Sequence, residues 1–129
     1  MADPKLFKCK KCGKVIELLP GTHGCPTMCC GEQMVELKAN TTDGALEKHV
    51  PAVTIEGNKV IVQVGSVAHP MLDVHYIQFV YLVTTKRTIR VDLNPGDAPE
   101  ARFVICDCEK PLKVFEYCNL HGLWVKELD

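Results

Sequence analysis

The stretch Gly57-Asn58-Lys59-Val60-Ile61-Val62-Gln63-Val64 decides the fold class of this chain. Its valines recur at every second position, and a period of two places them on one face of a β-strand. β-branched side chains also favour strands, because they fit a pleated and half-buried surface. Gly57-Asn58 separates this run from a second β-like run that begins at Ala52, which is typical of a two-residue hairpin. The stretch therefore predicts two antiparallel strands with one buried face.

Similar strand-like runs follow along the rest of the chain. In one of them His75 stands at the start and shares a face with Ile77, Phe79 and Tyr81. The other runs are Thr88–Leu93, Arg102–Cys106, Leu112–Tyr117 and Leu123–Lys126. Residues 94–99 read Asn-Pro-Gly-Asp-Ala-Pro and predict a turn, while residues 42–48 offer the one possible helical turn. Six or seven short strands joined by turns predict an all-β protein built as a β-sandwich.

Composition and charge exclude several classes of function. The chain has 129 residues, 47% of them hydrophobic, and a net charge of −1, so no bulk electrostatic attraction to nucleic acid is expected. No apolar run approaches the roughly 20 residues of a membrane-spanning helix. The start, Met1–Lys8, lacks the apolar segment of a signal peptide. We expect a cytoplasmic protein that binds neither membrane nor nucleic acid.

Cysteine density divides the chain into two predicted domains. Residues 1–38 hold five of the eight cysteines, and the small polar run at 39–44 reads as a linker that opens the second domain, 39–129. A segment as short as the first cannot bury a sufficient apolar core, so it would need a metal ion to hold it together. Because the cytosol keeps thiols reduced, metal ligation is a better interpretation of these cysteines than disulfides.

Four cysteines of the first domain form a ligand pattern, Cys9-x-x-Cys12-Gly followed by Cys29-Cys30-Gly. Each glycine lets the backbone turn tightly, so that amide groups can point at sulfur. Four thiolates in a tetrahedral array fit either zinc or a single iron, and the spacing does not separate the two metals. Adjacent cysteines must both turn inward, and this strain favours a distorted iron site. Cys25 could replace one member of the adjacent pair, or it could be a thiol that lies beside the site.

Histidines concentrate in the second domain. His49, His69, His75 and His121 stand at predicted strand ends or loops, as does Cys118, and the loops of a β-sandwich can converge. Imidazole suits iron, copper, zinc and nickel, and a thiolate adds a soft, electron-donating ligand. Four imidazoles and one thiolate would leave an octahedral iron with one open position, which predicts chemistry at the metal. The fifth histidine, His23, reads as an exposed loop residue of the first domain.

Several motifs in order along nearly the whole chain carry a family resemblance. They are the four cysteines above, Glu47-Lys48-His49-Val50-Pro51, Gly65-Ser66-Val67-Ala68-His69-Pro70-Met71, His75-Tyr76-Ile77, residues 95–101 (Pro-Gly-Asp-Ala-Pro-Glu-Ala) and Tyr117-Cys118-Asn119-Leu120-His121-Gly122-x-Trp124. On these residues the chain resembles desulfoferrodoxin, the two-iron class of superoxide reductase.

The resemblance implies a desulforedoxin-like first domain with one iron on four cysteines, followed by an immunoglobulin-like sandwich with a second, reactive iron. The ligands of the first iron would be Cys9, Cys12, Cys29 and Cys30. Those of the second would be His49, His69, His75 and His121 in the equatorial plane and Cys118 on the axis. The implied activity is one-electron reduction of superoxide to hydrogen peroxide without dismutation, which protects an anaerobe from oxidative stress. The resemblance also implies a homodimer and rubredoxin or a similar protein as electron donor.

Glu47 and Lys48 are the predicted catalytic residues beside the histidine centre. The Lys48 ammonium would attract an anionic substrate and organise the water that supplies protons, and salt should weaken that attraction. The Glu47 carboxylate, a hard anion, would serve as sixth ligand of the oxidised iron.

Two other functions compete with this interpretation. A zinc-ribbon and β-sandwich module could act through binding partners alone, and a simple electron carrier could use only the cysteine centre. The carrier hypothesis leaves the histidines and Cys118 without a function.

A last prediction concerns Cys106-Asp107-Cys108. The spacing of two would place both thiols on one strand face, with one of them in the core. We assign these thiols no role from the sequence.

Overall fold

A computed structural model describes residues 3–22, 25–40, 50–64 and 69–128 of the chain. All regular secondary structure in these ranges is β-strand, which confirms the predicted all-β fold. The chain divides into two compact units, the first ending at Lys38 and the second beginning at Ala39. No helix in the described ranges is long and apolar enough to cross a membrane.

The first unit consists of short strands around a very small core. Its described strands are β1 (Lys5–Lys8), β2 (Val15–Leu18), β3 (Met28–Cys29), β4 (Glu32–Gln33) and β5 (Val35–Glu36). They form a three-stranded sheet in the order β2-β1-β5 and a separate β3-β4 hairpin. Within the described part of this unit, the buried apolar side chains are those of Leu6, Cys9 and Met34. Burial of so few apolar side chains contributes little to the stability of this unit. Additional bonds are therefore needed to hold the unit together.

The second unit is a sandwich of two antiparallel sheets. Its described strands are β6 (Pro51–Glu56), β7 (Lys59–Val64), β8 (Ile77–Thr84), β9 (Thr88–Asp92), β10 (Glu100–Val104), β11 (Pro111–Cys118) and β12 (Gly122–Glu127). One sheet has the order β10-β7-β6 and the other has the order β12-β11-β8-β9. Gly57-Asn58 forms the two-residue turn between β6 and β7, and Gly57 has the positive φ of 63° that such a turn requires.

The sandwich core lies between the two sheets and follows the predicted alternation. The side chains of Val60, Val62 and Val64 in β7 are at most 1% exposed, whereas those of Lys59 and Gln63 are exposed. They pack with Phe103 of the same sheet and with apolar residues of the opposite sheet, namely Ile77, Val80, Leu82, Val114 and Cys118. Cys118 is therefore a core residue at the end of β11, and the packing of the sandwich fixes its position.

Two predictions from the sequence are wrong. Strand β8 begins at Ile77, and His75 lies before it in a tight turn, where its backbone forms an isolated antiparallel bridge with Leu72. Cys106 and Cys108 do not share a strand face, because β10 ends at Val104 and both thiols are exposed in the turn that follows. The possible helical turn at residues 42–48 falls outside the described residues.

A buried carboxylate network fixes the turn that follows β10. The Glu109 side chain is 1% exposed, and it accepts hydrogen bonds from Thr84 Oγ1 at 2.6 Å and from Cys106 N at 2.8 Å. The Arg87 guanidinium donates from Nη2 at 2.9 Å and from Nε at 3.2 Å. Hydrogen bonding by Arg87, and then by Thr84, lowers the pKa of Glu109 to about 2. The network thus holds an ionised carboxylate in place and joins β8 to the β10–β11 turn.

We expect Glu109→Gln to lower the thermal unfolding midpoint at neutral pH and to reduce its dependence on acid pH. The carboxyl has a pKa of about 2 when folded and an ordinary value of 4.5. Because the folded pKa is the lower one, the ionised side chain stabilises the fold above pH 4.5, and this contribution is lost as pH falls through 4.5 towards 2. The difference between wild type and variant should therefore shrink in that window. A difference in midpoint that stays constant from neutral pH to the acid end would contradict this account.

Candidate metal centres

The first candidate centre begins with a tight backbone turn at Cys9–Lys14. Gly13 N donates to Cys9 O and Cys9 N donates to Lys14 O, both at 2.9 Å, and Gly13 has a φ of 82°. The turn brings Cys12 N to 3.5 Å from Cys9 Sγ, so that an amide points at sulfur. Only glycine adopts such a φ without a steric cost, which explains the Cys-x-x-Cys-Gly pattern.

The adjacent cysteines reach the same centre through the turn of the β3-β4 hairpin. Cys30 and Gly31 form this two-residue turn, and both have positive φ, 52° and 77°. These values match a type I′ turn, which asparagine and glycine usually occupy. A cysteine in the left-handed region is strained. The strain expected for an adjacent pair is thus located at Cys30, and the turn brings its sulfur to 3.9 Å from that of Cys29.

The four sulfur atoms fit a tetrahedral metal ion. Cys9, Cys12, Cys29 and Cys30 place their sulfur atoms within 4.8 Å of one another, and the Cys12–Cys29 separation is 3.6 Å. A tetrahedron with metal–sulfur bonds of about 2.3 Å has edges of about 3.8 Å. Cys25 is exposed and does not belong to the cluster, so the structure selects the adjacent pair over the alternatives that include Cys25.

The close approach of the four sulfur atoms also shifts the pKa values of the thiols. The hydrogen bond from Cys12 N lowers the pKa of Cys9 to about 6. Hydrogen bonding with the Cys9 and Cys12 thiols raises the pKa of Cys29 to about 12, and the Cys12 thiol raises that of Cys30. Four close sulfurs therefore cannot all ionise unless a positive charge lies among them. A divalent or trivalent metal supplies that charge and deprotonates its thiol ligands.

The second candidate centre lies at one end of the sandwich. His69, His75, Cys118 and His121 bring one ligand atom each to within 4.8 Å of the others. The His69 and His75 rings are 4.8 Å apart between centroids, and the His75 and His121 rings are 5.0 Å apart, with interplanar angles of 78° and 75°. Cys118 Sγ lies 3.8 Å from His121 Nδ1. Three imidazoles thus surround one buried thiol.

Hydrogen bonds hold two of these histidines in position. His69 Nδ1 lies 2.7 Å from Pro70 O, which as an acceptor selects the tautomer with Nε2 available for a metal. Trp124 Nε1 donates to His121 O at 3.1 Å and ties the β11–β12 turn to the buried indole. Gly122 closes that turn with a φ of 84°.

Asn119 is a positioning residue to which the sequence analysis assigned no role. Its Oδ1 accepts from Tyr76 N and its Nδ2 donates to Val74 O, both at 3.0 Å. These two bonds fasten the turn that carries Cys118 and His121 to the backbone on both sides of His75. One amide side chain therefore sets the distance between two ligand-bearing segments that are far apart in the sequence.

We expect Asn119→Ala to weaken iron retention at the second centre by about 10–100-fold, as losses of ligand-orienting contacts do. Without the two side-chain bonds, His75 and His121 lose their common support, while the thiol of Cys118 remains in the core. Competition with a chelator, followed by the absorbance of the centre, measures this effect. Asn94→Ala is a matched control in another turn of the same unit, and equal retention by the two variants would contradict the role of Asn119.

Glu116 is a second residue that the sequence analysis missed. It lies on β11 opposite Val80 and Trp124, is fully buried, and neither carboxyl oxygen has a hydrogen-bond partner among the described residues. Desolvation by burial raises the pKa of the Glu116 carboxyl well above its usual value.

Four residues of the sequence prediction fall outside the described ranges. They are His23, Glu47, Lys48 and His49. The described residues thus supply three imidazoles and one thiolate to the second centre. This mixed set of borderline nitrogen donors and one soft sulfur suits iron, whereas the first centre offers only sulfur. Two chemically different metal centres therefore occur in one chain, a tetrathiolate centre in the first unit and a histidine–thiolate centre in the second.

Comparisons with known proteins agree with this pair of centres. The sequence model of the family described as Desulfoferrodoxin matches residues 41–127. The chain is 48% identical over 123 residues to a desulfoferrodoxin of Syntrophotalea carbinolica, with 95% of each chain covered. It is 46% identical over 125 residues to a desulfoferrodoxin of Nitratidesulfovibrio vulgaris, again with 95% of each chain covered.

Solved structures show the same likeness. The crystal structure of the superoxide reductase from Treponema pallidum superposes with a TM-score of 0.81 at 34% identity, covering 98% of this chain and 100% of that one. The one-iron superoxide reductase from Giardia intestinalis has a TM-score of 0.55 at 36% identity, and the match covers 64% of this chain and 98% of that one. The match to the Treponema pallidum structure therefore includes both units and spans the whole length of that superoxide reductase.

Proposed function

The chain belongs to the desulfoferrodoxin family, and from that premise we propose that it is a superoxide reductase with two iron centres. The reaction joins one superoxide, one electron and two protons to give one hydrogen peroxide, without dismutation. The observation that carries this proposal is the convergence of His69, His75, His121 and Cys118 at one end of the sandwich. A tetrathiolate cluster alone would serve an electron carrier, and it would not require this second ligand set.

Iron held by these residues, with His49 as the proposed fourth imidazole, would supply the electron that superoxide receives. The Cys118 side chain is fully buried, so its sulfur is shielded from water and from unwanted oxidation. As a thiolate ligand it would donate electron density to the iron, which would favour loss of an electron from the centre. The hydrogen bonds of Asn119 and Trp124 hold the neighbouring turn, so that the ligand set needs little reorganisation when the charge of the centre changes.

The anionic substrate and the two protons give Lys48 and Glu47 their proposed roles. Lys48 attracts superoxide and organises the water that delivers protons to the product. Glu47 would supply a carboxylate ligand to iron in its oxidised state. These roles rest on the position of both residues directly before His49 in the sequence and on the charge of the substrate.

We expect Lys48→Ile to slow the reaction with superoxide by about tenfold or more at low ionic strength, since a positive charge beside a site raises the encounter rate of an anion. The effect should shrink as salt is added, because salt screens the attraction that wild type uses. Stopped-flow measurement of the second-order rate constant at several salt concentrations tests this. Lys59→Ile, at an exposed position of strand β7, is the control. An unchanged rate constant for Lys48→Ile at low salt excludes the proposed role.

The assembly, location and electron supply are also proposals. From the family membership we propose that the protein is a homodimer in the cytoplasm of an anaerobe. We also propose that rubredoxin or a similar protein is its electron donor. The first unit, residues 1–38, would hold its iron on four cysteines for electron relay or storage, and residues 39–129 would hold the reactive iron. A sedimentation mass equal to the 14.3 kDa of one chain would contradict the dimer. Failure of reduced rubredoxin to re-reduce the protein would contradict the donor.

One combined experiment tests the function. The purified protein is analysed for iron and zinc, and its visible spectrum is recorded without oxygen before and after oxidation. Two irons per chain, with a tetrathiolate spectrum and a separate thiolate-to-iron band that appears on oxidation, are expected. Reduced protein mixed with superoxide should give one peroxide for each superoxide and no oxygen, whereas dismutation gives one peroxide for every two. A zinc-loaded protein that stays colourless after reconstitution with iron would favour a structural binding module instead.

A further inference from the structure

Cys106 and Cys108 form a pair of thiols that belongs to neither metal cluster. They flank Asp107 in the turn between β10 and β11, and both are exposed. A structural cysteine is usually buried and inert, whereas reactive thiols are accessible to solvent. Two accessible thiols in one short turn therefore need an explanation that the metal centres do not provide.

The geometry of the pair is close to that of a disulfide. The two sulfur atoms are 2.7 Å apart, with the Cys108 thiol donating to Cys106 Sγ. Cys108 N also points at Cys106 Sγ, at 3.3 Å. A disulfide bond is about 2.05 Å long, so a small movement of the two side chains joins the atoms. The pair can thus close within its own turn, without rearrangement of the strands on either side.

The turn is rigid on the side of Cys106 because of the Glu109 network. Cys106 N donates to Glu109 Oε1 at 2.8 Å, and Glu109 N donates to Cys106 O at 3.1 Å. The same carboxylate accepts from Thr84 and Arg87, which fastens it to strand β8 and to the residues after it. Cys106 is therefore held at both its amide and its carbonyl, and the sequence Cys-Asp-Cys-Glu acts as one preorganised unit.

Electrostatics divide the two thiols into different roles. The hydrogen bonds from the Cys108 thiol and amide lower the pKa of Cys106, against the opposing effect of Glu109 and Asp107. The Cys106 thiol raises the pKa of Cys108, and the nearby Lys86 charge acts in the other direction. Cys106 is thus the thiol that ionises more readily, and Cys108 is a neighbouring thiol within reach of it. A readily ionised thiol beside a second one is the arrangement of peroxide-sensitive cysteines.

We propose that Cys106 and Cys108 form a peroxide-reactive dithiol that converts to an intramolecular disulfide. The proposal rests on the proposed function in one respect, because hydrogen peroxide is the product of superoxide reduction and is therefore formed by this same chain. The pair gives the protein a second reaction, in which it consumes its own product at a site separate from the iron ligands.

Hydrogen peroxide oxidises the pair in two steps. The Cys106 thiolate attacks one oxygen of hydrogen peroxide, so that a sulfur–oxygen bond forms, the oxygen–oxygen bond breaks, and hydroxide leaves and takes up a proton as water. The Cys108 sulfur then attacks the sulfenic acid, so that the sulfur–sulfur bond forms and a second water leaves with the Cys108 proton. Two thiols lose two electrons, and peroxide becomes two waters. An external dithiol protein restores the pair by thiol–disulfide exchange.

The sequence offers a convenient readout of this reaction. Trypsin does not readily cleave between Lys110 and Pro111, so digestion releases the peptide Phe103–Lys113, which contains Cys106 and Cys108 and no other cysteine. The iron-loaded full chain is treated with hydrogen peroxide, quenched in acid, unfolded and alkylated before digestion. The expected product is this peptide lighter by two hydrogen atoms and resistant to alkylation until a dithiol reductant is added. Without peroxide, the same peptide should carry two alkyl groups.

Three variants separate the roles of the thiols. Cys108→Ser should stop at the Cys106 sulfenic acid, which a cyclic diketone probe captures. Cys106→Ser should abolish the peroxide-induced intramolecular disulfide, because Cys108 then has no second thiol in this peptide to join. Cys25→Ser, which removes an exposed thiol outside both metal clusters, should leave the disulfide yield unchanged.

Other outcomes overturn the proposal. Full alkylation of both thiols after excess peroxide would exclude the intramolecular pair, and so would a disulfide that forms only between chains. Protection of the peptide by added copper(I) and not by peroxide would identify a soft-metal site instead. A parallel sample that receives superoxide in place of peroxide keeps the two proposals distinguishable. A disulfide with added peroxide, together with release of oxygen in the superoxide sample, supports the dithiol while counting against superoxide reduction.

Discussion

Cys118→Ser is expected to abolish superoxide reduction, with a loss of more than about 100-fold, because disturbance of a ligand's supporting contacts alone costs about 10–100-fold. The variant loses the one soft, electron-donating ligand of the second centre, and serine stays protonated where cysteine ionises. The thiolate-to-iron band of the visible spectrum should disappear with the activity. The spectrum of the tetrathiolate centre should remain, because its ligands belong to the other unit.

The position of Cys118 in the sandwich core requires a control for folding. A serine hydroxyl at a fully buried site can destabilise the fold by itself. His75→Ala is therefore made in parallel, since His75 lies in a partly exposed turn outside the core strands. Both variants should lose activity, and His75→Ala should retain the unfolding midpoint of the sandwich. Full activity in either variant, measured by stopped flow with superoxide, would refute the assignment of this centre.

Cys12→Ser is expected to remove the metal of the first unit and to unfold that unit, while superoxide reduction is largely retained. Structural metal binding contributes about 10–16 kcal/mol to the folding of small domains of this kind. The described part of the first unit buries few apolar side chains, chiefly those of Leu6 and Met34, so nothing else can replace that contribution. Metal analysis should fall by one iron per chain, and proteolysis should begin within the first 38 residues of the chain.

Cys25→Ser is the matched control for this variant, because Cys25 lies in the same unit but outside the cluster. It should retain both irons and resist proteolysis as wild type does. Loss of superoxide reduction in Cys12→Ser, in a preparation whose histidine–thiolate band is intact, would show that the first centre takes part in turnover. A Cys12→Ser protein that keeps a folded first unit would contradict the structural role of the metal.

The sandwich was predictable from the sequence where local pattern decides structure. The alternation of Val60, Val62 and Val64 and the Gly57-Asn58 turn identify a hairpin with one buried face, and the structure has that hairpin. In the first unit, β3, β4 and β5 have two residues each, too few for any period to show. Those strands exist because the cysteine turns and the pairing with neighbouring strands impose them, and these constraints are not local.

The grouping of the ligands followed from residue type, but their supports did not. Histidine and cysteine attract attention as metal ligands in any sequence, whereas Asn119 has the composition of an ordinary turn residue. Its partners, Val74 and Tyr76, lie 45 and 43 residues away. The error at Cys106 and Cys108 has the same origin, because Glu109 bends this segment through contacts with Thr84 and Arg87, which lie 25 and 22 residues from it. Glu116 was missed because charged residues are rarely buried without a partner.

The two ligand sets differ in the sequence separation of their members. This difference determines which of the two metal sites can form first during synthesis of the protein. The four cysteines of the first centre are complete once Cys30 has been synthesised, and the loops between them are short to close. His69, His75 and Cys118 meet only after β8 and β11 have paired across the sheet. The first site can therefore bind its metal while the sandwich is still being translated. The second site can bind metal only after the chain has been released and the strands of the sandwich have paired.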